Sequence, residues 1–93
     1  MEIIQRNEDR KGIFIALEEG QEAGNMSYTW AGTTKFIIDH TEVDPAFKGK
    51  GVGKQLVMKA VEYAREHQVK ILPLCPFAKA MFDRNADLHD ILF

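Results

Sequence analysis

The fold of this 93-residue chain is decided at Val43-Asp44-Pro45-Ala46-Phe47-Lys48-Gly49-Lys50-Gly51-Val52-Gly53-Lys54-Gln55-Leu56, where a strand-forming pattern gives way to a helix-forming one. Apolar residues then recur on one helical face, which predicts a helix from about Gly51 to His67. Glycine lets the backbone adopt positive φ and approach a ligand closely. A strand that ends in such a loop and feeds a helix presents unsatisfied backbone N–H groups, and the helix dipole adds about half a positive charge there. The stretch therefore predicts an anion site, above all one for a phosphate.

Two common phosphate-binding loops do not fit this stretch. The P-loop pattern GxxxxGK[ST] fails because Gln55 follows Gly53-Lys54 and Lys48 occupies the place of the first glycine. The dinucleotide pattern GxGxxG fails because the third glycine arrives one residue early. The competing interpretation is a flexible loop of solvated charges, but each glycine costs about 1 kcal/mol relative to alanine where it is helical. We therefore favour an anion site to which Lys48, Lys50 and Lys54 add positive charge.

The residues before this stretch have the pattern of strands joined by short turns. Turns are predicted where glycine lies in a short polar segment, at Glu18–Glu22 and Ala31–Thr34. The apolar run Gly12–Leu17 is typical of a strand buried on both faces, whereas Gly24–Trp30 alternates between apolar and polar residues. Strands connected in this way form an antiparallel meander. The predicted strands are Ile3–Arg6, Gly12–Leu17, Gly24–Trp30 and Lys35–Val43.

The residues after the predicted helix return to the sheet. Val69–Leu72 is a short apolar strand that a proline ends, and a strand–helix–strand order implies a crossover that makes it parallel to Lys35–Val43. Pro76–Asn85 has the pattern of a second helix, and the tail Asp87–Phe93 is too short to assign. With no linker or repeat, residues 1–93 are expected to form one α+β domain, an antiparallel meander that continues through a β-α-β crossover and ends in a helix.

Composition argues against several classes of protein. The net charge of -2 argues against nucleic-acid binding driven by bulk charge. A single cysteine and scattered histidines argue against a disulfide and against a metal site, and they favour a reducing, cytoplasmic setting. No apolar run approaches the ~20 residues that span a bilayer, and Met1–Arg10 carries no signal-peptide core. We expect neither a membrane nor a nucleic-acid partner.

The glycine-rich stretch resembles the acyl-CoA-binding motif of the GNAT superfamily of N-acetyltransferases. That motif, R/Q-x-x-G-x-G/A, follows a strand and opens a helix; Gly51 and Gly53 match its small positions, and Lys48 stands in place of Arg or Gln. His40-Thr41 on the preceding strand and Pro73-Leu74-Cys75-Pro76-Phe77 near the end also resemble the short, single-domain YjdJ-type branch. The likeness covers nearly the whole chain, and the order of elements derived above agrees with it.

The resemblance implies that acetyl-CoA is the acyl donor and that an unidentified amine is the acceptor. It implies a pyrophosphate held by backbone amides, a pantetheine arm between splayed strands, and an acetyl group near His40 and Cys75. The cofactor-binding residues that it implies are Val43, Lys48, Gly49, Lys50, Gly51, Val52, Gly53 and Lys54. The leading hypothesis is an acetyl-CoA-dependent N-acetyltransferase. The alternatives are a non-catalytic acyl-CoA-binding module and a protein-interaction domain whose basic loop binds an acidic partner.

Cys75 is the first candidate catalytic residue. Pro76 suits the first position of a helix, which places Cys75 at or next to the N-cap, where the helix field favours thiolate. A thiolate there could accept an acetyl group from the thioester and pass it to an amine. The alternative is that Cys75 is a small buried hydrophobe or lines the acyl pocket.

His40 is the second candidate catalytic residue. Strand alternation would put it on the face of Phe36 and Ile38, which is mainly apolar, and there a lone histidine can be a satisfied core residue. The functional alternative is a general base for the amine or for Cys75, because histidine exchanges protons near neutral pH. If Cys75 is not acylated, the amine attacks acetyl-CoA directly and His40 or Glu42 removes the proton.

Two further features concern mechanism and assembly. Family members that transfer the acetyl group directly often have a tyrosine after the last strand to protonate the departing thiolate, and this chain has no tyrosine after Cys75. The predicted sheet has one uncovered edge, which can pair with a neighbouring molecule. We therefore expect a monomer or a weak homodimer.

Overall fold

The secondary structure follows the order that the sequence predicts. The computed structural model describes residues 1–93. Two 3-10 turns, Pro45–Phe47 and Ala86–Ile91, accompany the regular elements. The strands and helices are β1 (Glu2–Glu8), β2 (Lys11–Glu18), β3 (Gln21–Trp30), β4 (Lys35–Val43), α1 (Val52–His67), β5 (Lys70–Pro73) and α2 (Pro76–Arg84).

The strands form one mixed sheet in the order β1-β2-β3-β4-β5. The first four strands pair antiparallel with their neighbours, and β5 pairs parallel with β4. Pairing of β4 with β5 ends at Ile38 opposite Pro73, although β4 continues to Val43. The predicted meander, the parallel return and the C-terminal helix are confirmed. Neither helix is both long and apolar enough to cross a membrane.

The core lies on one face of the sheet. Alternate residues of β2, β3 and β4 form a single cluster with the apolar stripes of α1 and α2. Phe14 of β2 is fully buried in this cluster, whereas its neighbour Ile13 is only half-buried on the other face. Ile15, also on that second face, is 9% exposed and lies outside the cluster. The prediction that β2 is buried on both faces therefore holds at Phe14–Ala16 but not at Ile13 or Leu17, which are only half-buried, because both helices pack on the same side.

A bulge in β4 changes which residues face the core. Ser27 of β3 pairs with His40 while the next residue, Tyr28, pairs with Ile38, so Asp39 is an extra residue without a partner. One extra residue moves the following side chains to the opposite face. His40 consequently lies beside Ser27 on the face away from the helices. The alternation that would place it with Phe36 and Ile38 is wrong.

Tyr28 ties the edge strand β1 to the core. Its ring is 1% exposed and packs against Phe14 and Phe36, with centroids 5.2 and 4.7 Å away. Its hydroxyl accepts a hydrogen bond from Gln5 Nε2 at 2.7 Å and donates one to Asn7. Burial raises the pKa of the Tyr28 phenol. A protonated hydroxyl that makes two hydrogen bonds therefore fixes β1 against the rest of the sheet.

We expect Tyr28→Phe to destabilise the fold by about 1–2 kcal/mol, because it removes two hydrogen bonds and keeps the ring. The raised pKa means that the folded state holds the phenolic proton more tightly than the unfolded chain does. The stability gained from this proton is present below pH 10.0 and is lost as the pH rises through the folded pKa. Thermal unfolding between neutral pH and pH ~11 should show a steeper alkaline loss for wild type than for the variant. A constant difference at all pH values would contradict this account.

The C-terminal residues, which the sequence left unassigned, close one edge of the sheet. Leu92 forms a parallel bridge with Ile71 of β5, and the Phe93 N–H donates to the Ile71 carbonyl at 2.9 Å. Arg65 of α1 holds this segment through two hydrogen bonds to the Asp90 carboxylate at 3.0 and 2.9 Å. The edge beyond β5 is thus occupied, whereas the outer edge of β1 is free.

Candidate active site

The glycine-rich loop has a conformation that its glycines make possible. Asp44 begins the loop, and its carboxylate accepts a hydrogen bond from the Ala46 N–H at 2.9 Å. Gly49 and Gly51 have φ angles of 84° and 72°, in the left-handed region that side chains rarely adopt. Gly51 is the N-cap of α1, so the chain turns into the helix through this left-handed residue.

The first turn of α1 presents backbone donors that nothing in the chain satisfies. The N–H groups of Gly51, Val52, Gly53 and Lys54 donate to no backbone carbonyl, and no side chain caps them. No acidic residue lies in this turn. Four free donors at the positive end of a helix dipole favour an anion with several oxygens, such as a phosphate group.

A cavity of about 490 Å³ opens beside these donors, between the loop and α2. It contains three cationic side chains, Lys48, Lys54 and Arg84, and no aspartate or glutamate. Seven of the eight residues predicted to bind the cofactor line it; Lys50 does not, because its ammonium lies 5.6 Å above the Phe47 ring. The donors and the charges of this cavity therefore fit a ligand that carries phosphates at one end.

The α2 wall of the cavity contains residues that sequence reasoning missed. Phe77 packs its ring so closely on the first turn of α1 that a Cβ at Gly53 would lie 2.6 Å from it. Phe77, Met81 and Arg84 recur at helical spacing and line the cavity together. Phe77 is 42% exposed there, which is unusual for a large apolar side chain next to a core. The spacing was a visible signal of one helix face, but only the packing shows that this face meets the loop.

Cys75 lies where β4 and β5 separate. The Ile38 carbonyl accepts from both the Leu74 and the Cys75 N–H groups, at 3.2 and 3.1 Å, and ends the parallel pairing. Cys75 is the N-cap of α2 with Pro76 in the first turn, as the sequence predicts. Its thiol is 4% exposed and donates to Thr41 Oγ1 at 3.2 Å, across the opening between the strands. The sulfur is thus buried at the N-terminus of α2, next to the strand opening.

His40 lies on the opposite face of the sheet. Its Nε2 is 3.0 Å from Glu42 Oε1, and the two side chains are 63% and 66% exposed. No hydrogen bond joins His40 to Cys75. The structure therefore places the two candidates next to the same strand opening but not in contact. No group of three His, Cys, Asp or Glu side chains is arranged to hold a metal ion.

Two features define the acetyltransferase class of fold. They are a mixed sheet that opens beyond a bulge and a glycine-rich loop that starts a helix at this opening. Residues 13–91 match the family model described as GCN5-related N-acetyl-transferase. The chain belongs to this family. Structures of single-domain members share its architecture.

Three known proteins illustrate the similarity. A GCN5-like protein of Staphylococcus aureus, provisionally assigned as an N-acetyltransferase, is 32% identical, with a TM-score of 0.71 over 99% of this chain and 87% of its own. Protein NATD1 of Xenopus tropicalis is 23% identical over 82 residues, which cover 88% of this chain and 75% of NATD1. A Bacillus anthracis protein, provisionally assigned as a streptothricin acetyltransferase and solved with acetyl coenzyme A, is 26% identical. Its TM-score is 0.62, over 84% of this chain and 47% of its own.

Proposed function

We propose that this protein transfers an acetyl group from acetyl-CoA to an amine. The observation that carries the proposal is the set of four free amide donors at the start of α1, in a cavity with three cations and no carboxylate. Such a site suits the pyrophosphate of coenzyme A. Membership of the family, and acetyl coenzyme A in the related Bacillus anthracis structure, support acetyl-CoA as the donor. The single free cysteine favours a reducing, cytoplasmic setting.

In this proposal the loop and α2 share the binding of the donor. The backbone of residues 49–54 holds the pyrophosphate, and Lys48, Lys54 and Arg84 neutralise the phosphate charges. The pantetheine arm extends from Val43 into the opening between β4 and β5, where unpaired strand edges can bond its amides. This path ends at Thr41 and Cys75. The loop thus supplies affinity, and the opening orients the thioester.

We assign the chemistry to Cys75 and His40. The Cys75 sulfur attacks the thioester carbonyl, the bond to coenzyme A breaks, and the proton of the thiol leaves with coenzyme A. The Thr41 hydroxyl, 3.2 Å away, can reverse its role and donate to the thiolate. The amine then attacks the acetyl-cysteine from the exposed face, where His40 takes its proton. A carbon–nitrogen bond forms and the cysteine thiolate is released.

Thermal unfolding with acetyl-CoA tests the donor assignment. A ligand at about a hundred times its dissociation constant stabilises by ~2.7 kcal/mol, which raises Tm by on the order of 10–20 °C for a domain of this size. We expect this shift with acetyl-CoA and a much smaller one with ATP or inorganic pyrophosphate at the same concentration. No shift at millimolar acetyl-CoA would refute the proposal, and equal shifts with all three would favour a general polyanion site.

A non-catalytic acyl-CoA-binding module is the second candidate function. The separation of His40 from Cys75 on opposite faces favours it, as does the small exposed fraction of the Cys75 thiol. This module predicts the same thermal shift but no transfer from acetyl-CoA to any amine in a broad panel. Measurement of coenzyme A release with such a panel separates the two functions.

A further inference from the structure

The outer edge of β1 lacks the features that normally stop an edge strand from pairing. β1 has seven residues, and its register with β2 runs without a bulge from Glu2 to Glu8. It contains no proline, lysine or glycine. Natural sheets protect their edges with short strands, bulges, lysine, proline or a covering segment. In this protein the C-terminal residues cover the β5 edge, and nothing covers β1.

A groove lined by both apolar and charged side chains runs beside this free edge. It has a volume of about 610 Å³ and lies between β1 and α1. Met1 and Met58 line it at 39% and 38% exposure, together with Ile3. These two methionines are among the few large apolar side chains that the fold leaves exposed. A strand added to the β1 edge would therefore gain apolar contacts as well as backbone hydrogen bonds.

The sequence of β1 is complementary to itself in one antiparallel register. When Ile4 lies opposite Ile4 of a second copy, Glu2 lies opposite Arg6 and Arg6 opposite Glu2. All three side chains belong to the same face, because their partners on β2 are the alternate residues Leu17, Ile15 and Ile13. On the groove side, Ile3 lies opposite Gln5. Opposite charges and apolar pairs across antiparallel strands both stabilise.

The neighbouring registers are worse. Only registers centred on a residue are compatible, because a register shift of one residue would place side chains from different faces opposite each other. Centring the pair on Gln5 places Glu2 opposite Glu8, and centring it on Arg6 places two arginines opposite each other. Centring it on Ile3 loses the Glu2–Arg6 pairs and shortens the ladder.

We propose that the β1 edge binds a second copy of this chain and forms a two-fold symmetric dimer centred on Ile4. The axis is perpendicular to the sheet, so the two sheets continue into each other and both α1 helices lie on the same face. The two grooves then meet across the axis and enclose Met1 and Met58 from both copies. The cavity proposed to bind acetyl-CoA lies beside β4, away from the β1 edge, and stays open.

Sedimentation equilibrium with charge-reversal variants tests the dimer and its register. Glu2→Arg and Arg6→Glu should each raise the dimer dissociation constant by at least about tenfold, because each places like charges opposite each other twice per dimer. The double variant, which carries both substitutions, restores the pairs with reversed polarity and should return the constant close to the wild-type value. Arg10→Glu is the matched control, since it makes the same charge change in the β1–β2 turn and should have little effect.

The experiment has clear opposing outcomes. All substituted side chains are exposed, and thermal unfolding of each variant verifies that it folds. A wild-type protein that stays monomeric up to millimolar concentration overturns the proposal, and so does a dimer that neither reversal weakens. A dimer that both reversals weaken, but that the double variant does not restore, overturns the Ile4 register. Unchanged binding of acetyl-CoA by the variants would show that dimerisation and the proposed function are separate.

Discussion

Gly51→Val is expected to weaken acetyl-CoA binding by roughly a hundredfold or more while leaving a folded protein. Gly51 has φ of 72° at the N-cap of α1, and a β-branched residue must leave this conformation or remain strained there. Either response misdirects the amides of Gly51 and Val52. A hydrogen bond to a charged group contributes ~1.5–3 kcal/mol, so the loss of two explains the size of the effect. Calorimetry and the acetyl-CoA thermal shift measure it.

Gly20→Val is the matched control for this experiment. Gly20 lies in the β2–β3 turn with φ of 81°, and a Cβ at either glycine meets no atom within 4 Å. Both substitutions should therefore cost a similar ~1–3 kcal/mol of backbone strain. We expect only Gly51→Val to lose the ligand. Equal loss in both variants would point to general destabilisation, and normal affinity of Gly51→Val would remove the loop from the binding site.

Cys75→Ala is expected to retain acetyl-CoA binding and to lose transfer by roughly three orders of magnitude or more, because loss of a covalent nucleophile leaves only binding and positioning. The sulfur lies beyond the loop and donates only to Thr41, so its removal leaves the phosphate contacts intact. Mass spectrometry of wild type mixed with acetyl-CoA and no amine should find one acetyl group on Cys75. The same measurement on the variant should find none.

Two further variants separate acetylation of Cys75 from transfer of the acetyl group to the amine. Thr41→Val keeps the thiol and removes its only hydrogen-bond partner, so it should slow acetylation of Cys75 without abolishing it. His40→Ala should leave acetylation of Cys75 intact and slow transfer to the amine by about 10²–10⁴-fold. Full transfer by Cys75→Ala would mean that the amine attacks acetyl-CoA directly. An acetylated Cys75 that passes its acetyl group to no amine would contradict the assigned route.

Local sequence signals predicted the elements of this fold well. The helix starts at Val52 because Gly51 turns the chain through a left-handed conformation and the apolar spacing begins there. Cys75 caps α2 because Pro76 is fitted to a first helical turn. These features depend on a few adjacent residues, so the local sequence encodes them without any long-range contact.

The position of His40 could not be predicted in the same way. Its face depends on the extra residue Asp39 in the pairing of β4 with β3, and nothing in the sequence of β4 alone marks that residue. The burial of β2 was predicted only in part, for a related reason. Its apolar run is compatible with one covered face or two, and only the packing of both helices on one side decides between them.

The order of strands and helices, the glycine-rich start of α1 and the cap at Cys75 could all be predicted from the amino-acid sequence, because each is encoded in the spacing of near neighbours. The tertiary structure alone decided that Phe77 and Arg84 join the loop, that His40 lies apart from Cys75, and that the C-terminal residues close one sheet edge while β1 stays free. The physical reason is that these relations depend on strand register and on how a helix is rotated over the sheet. A shift of one residue reverses the first, and only the complete packed core fixes the second.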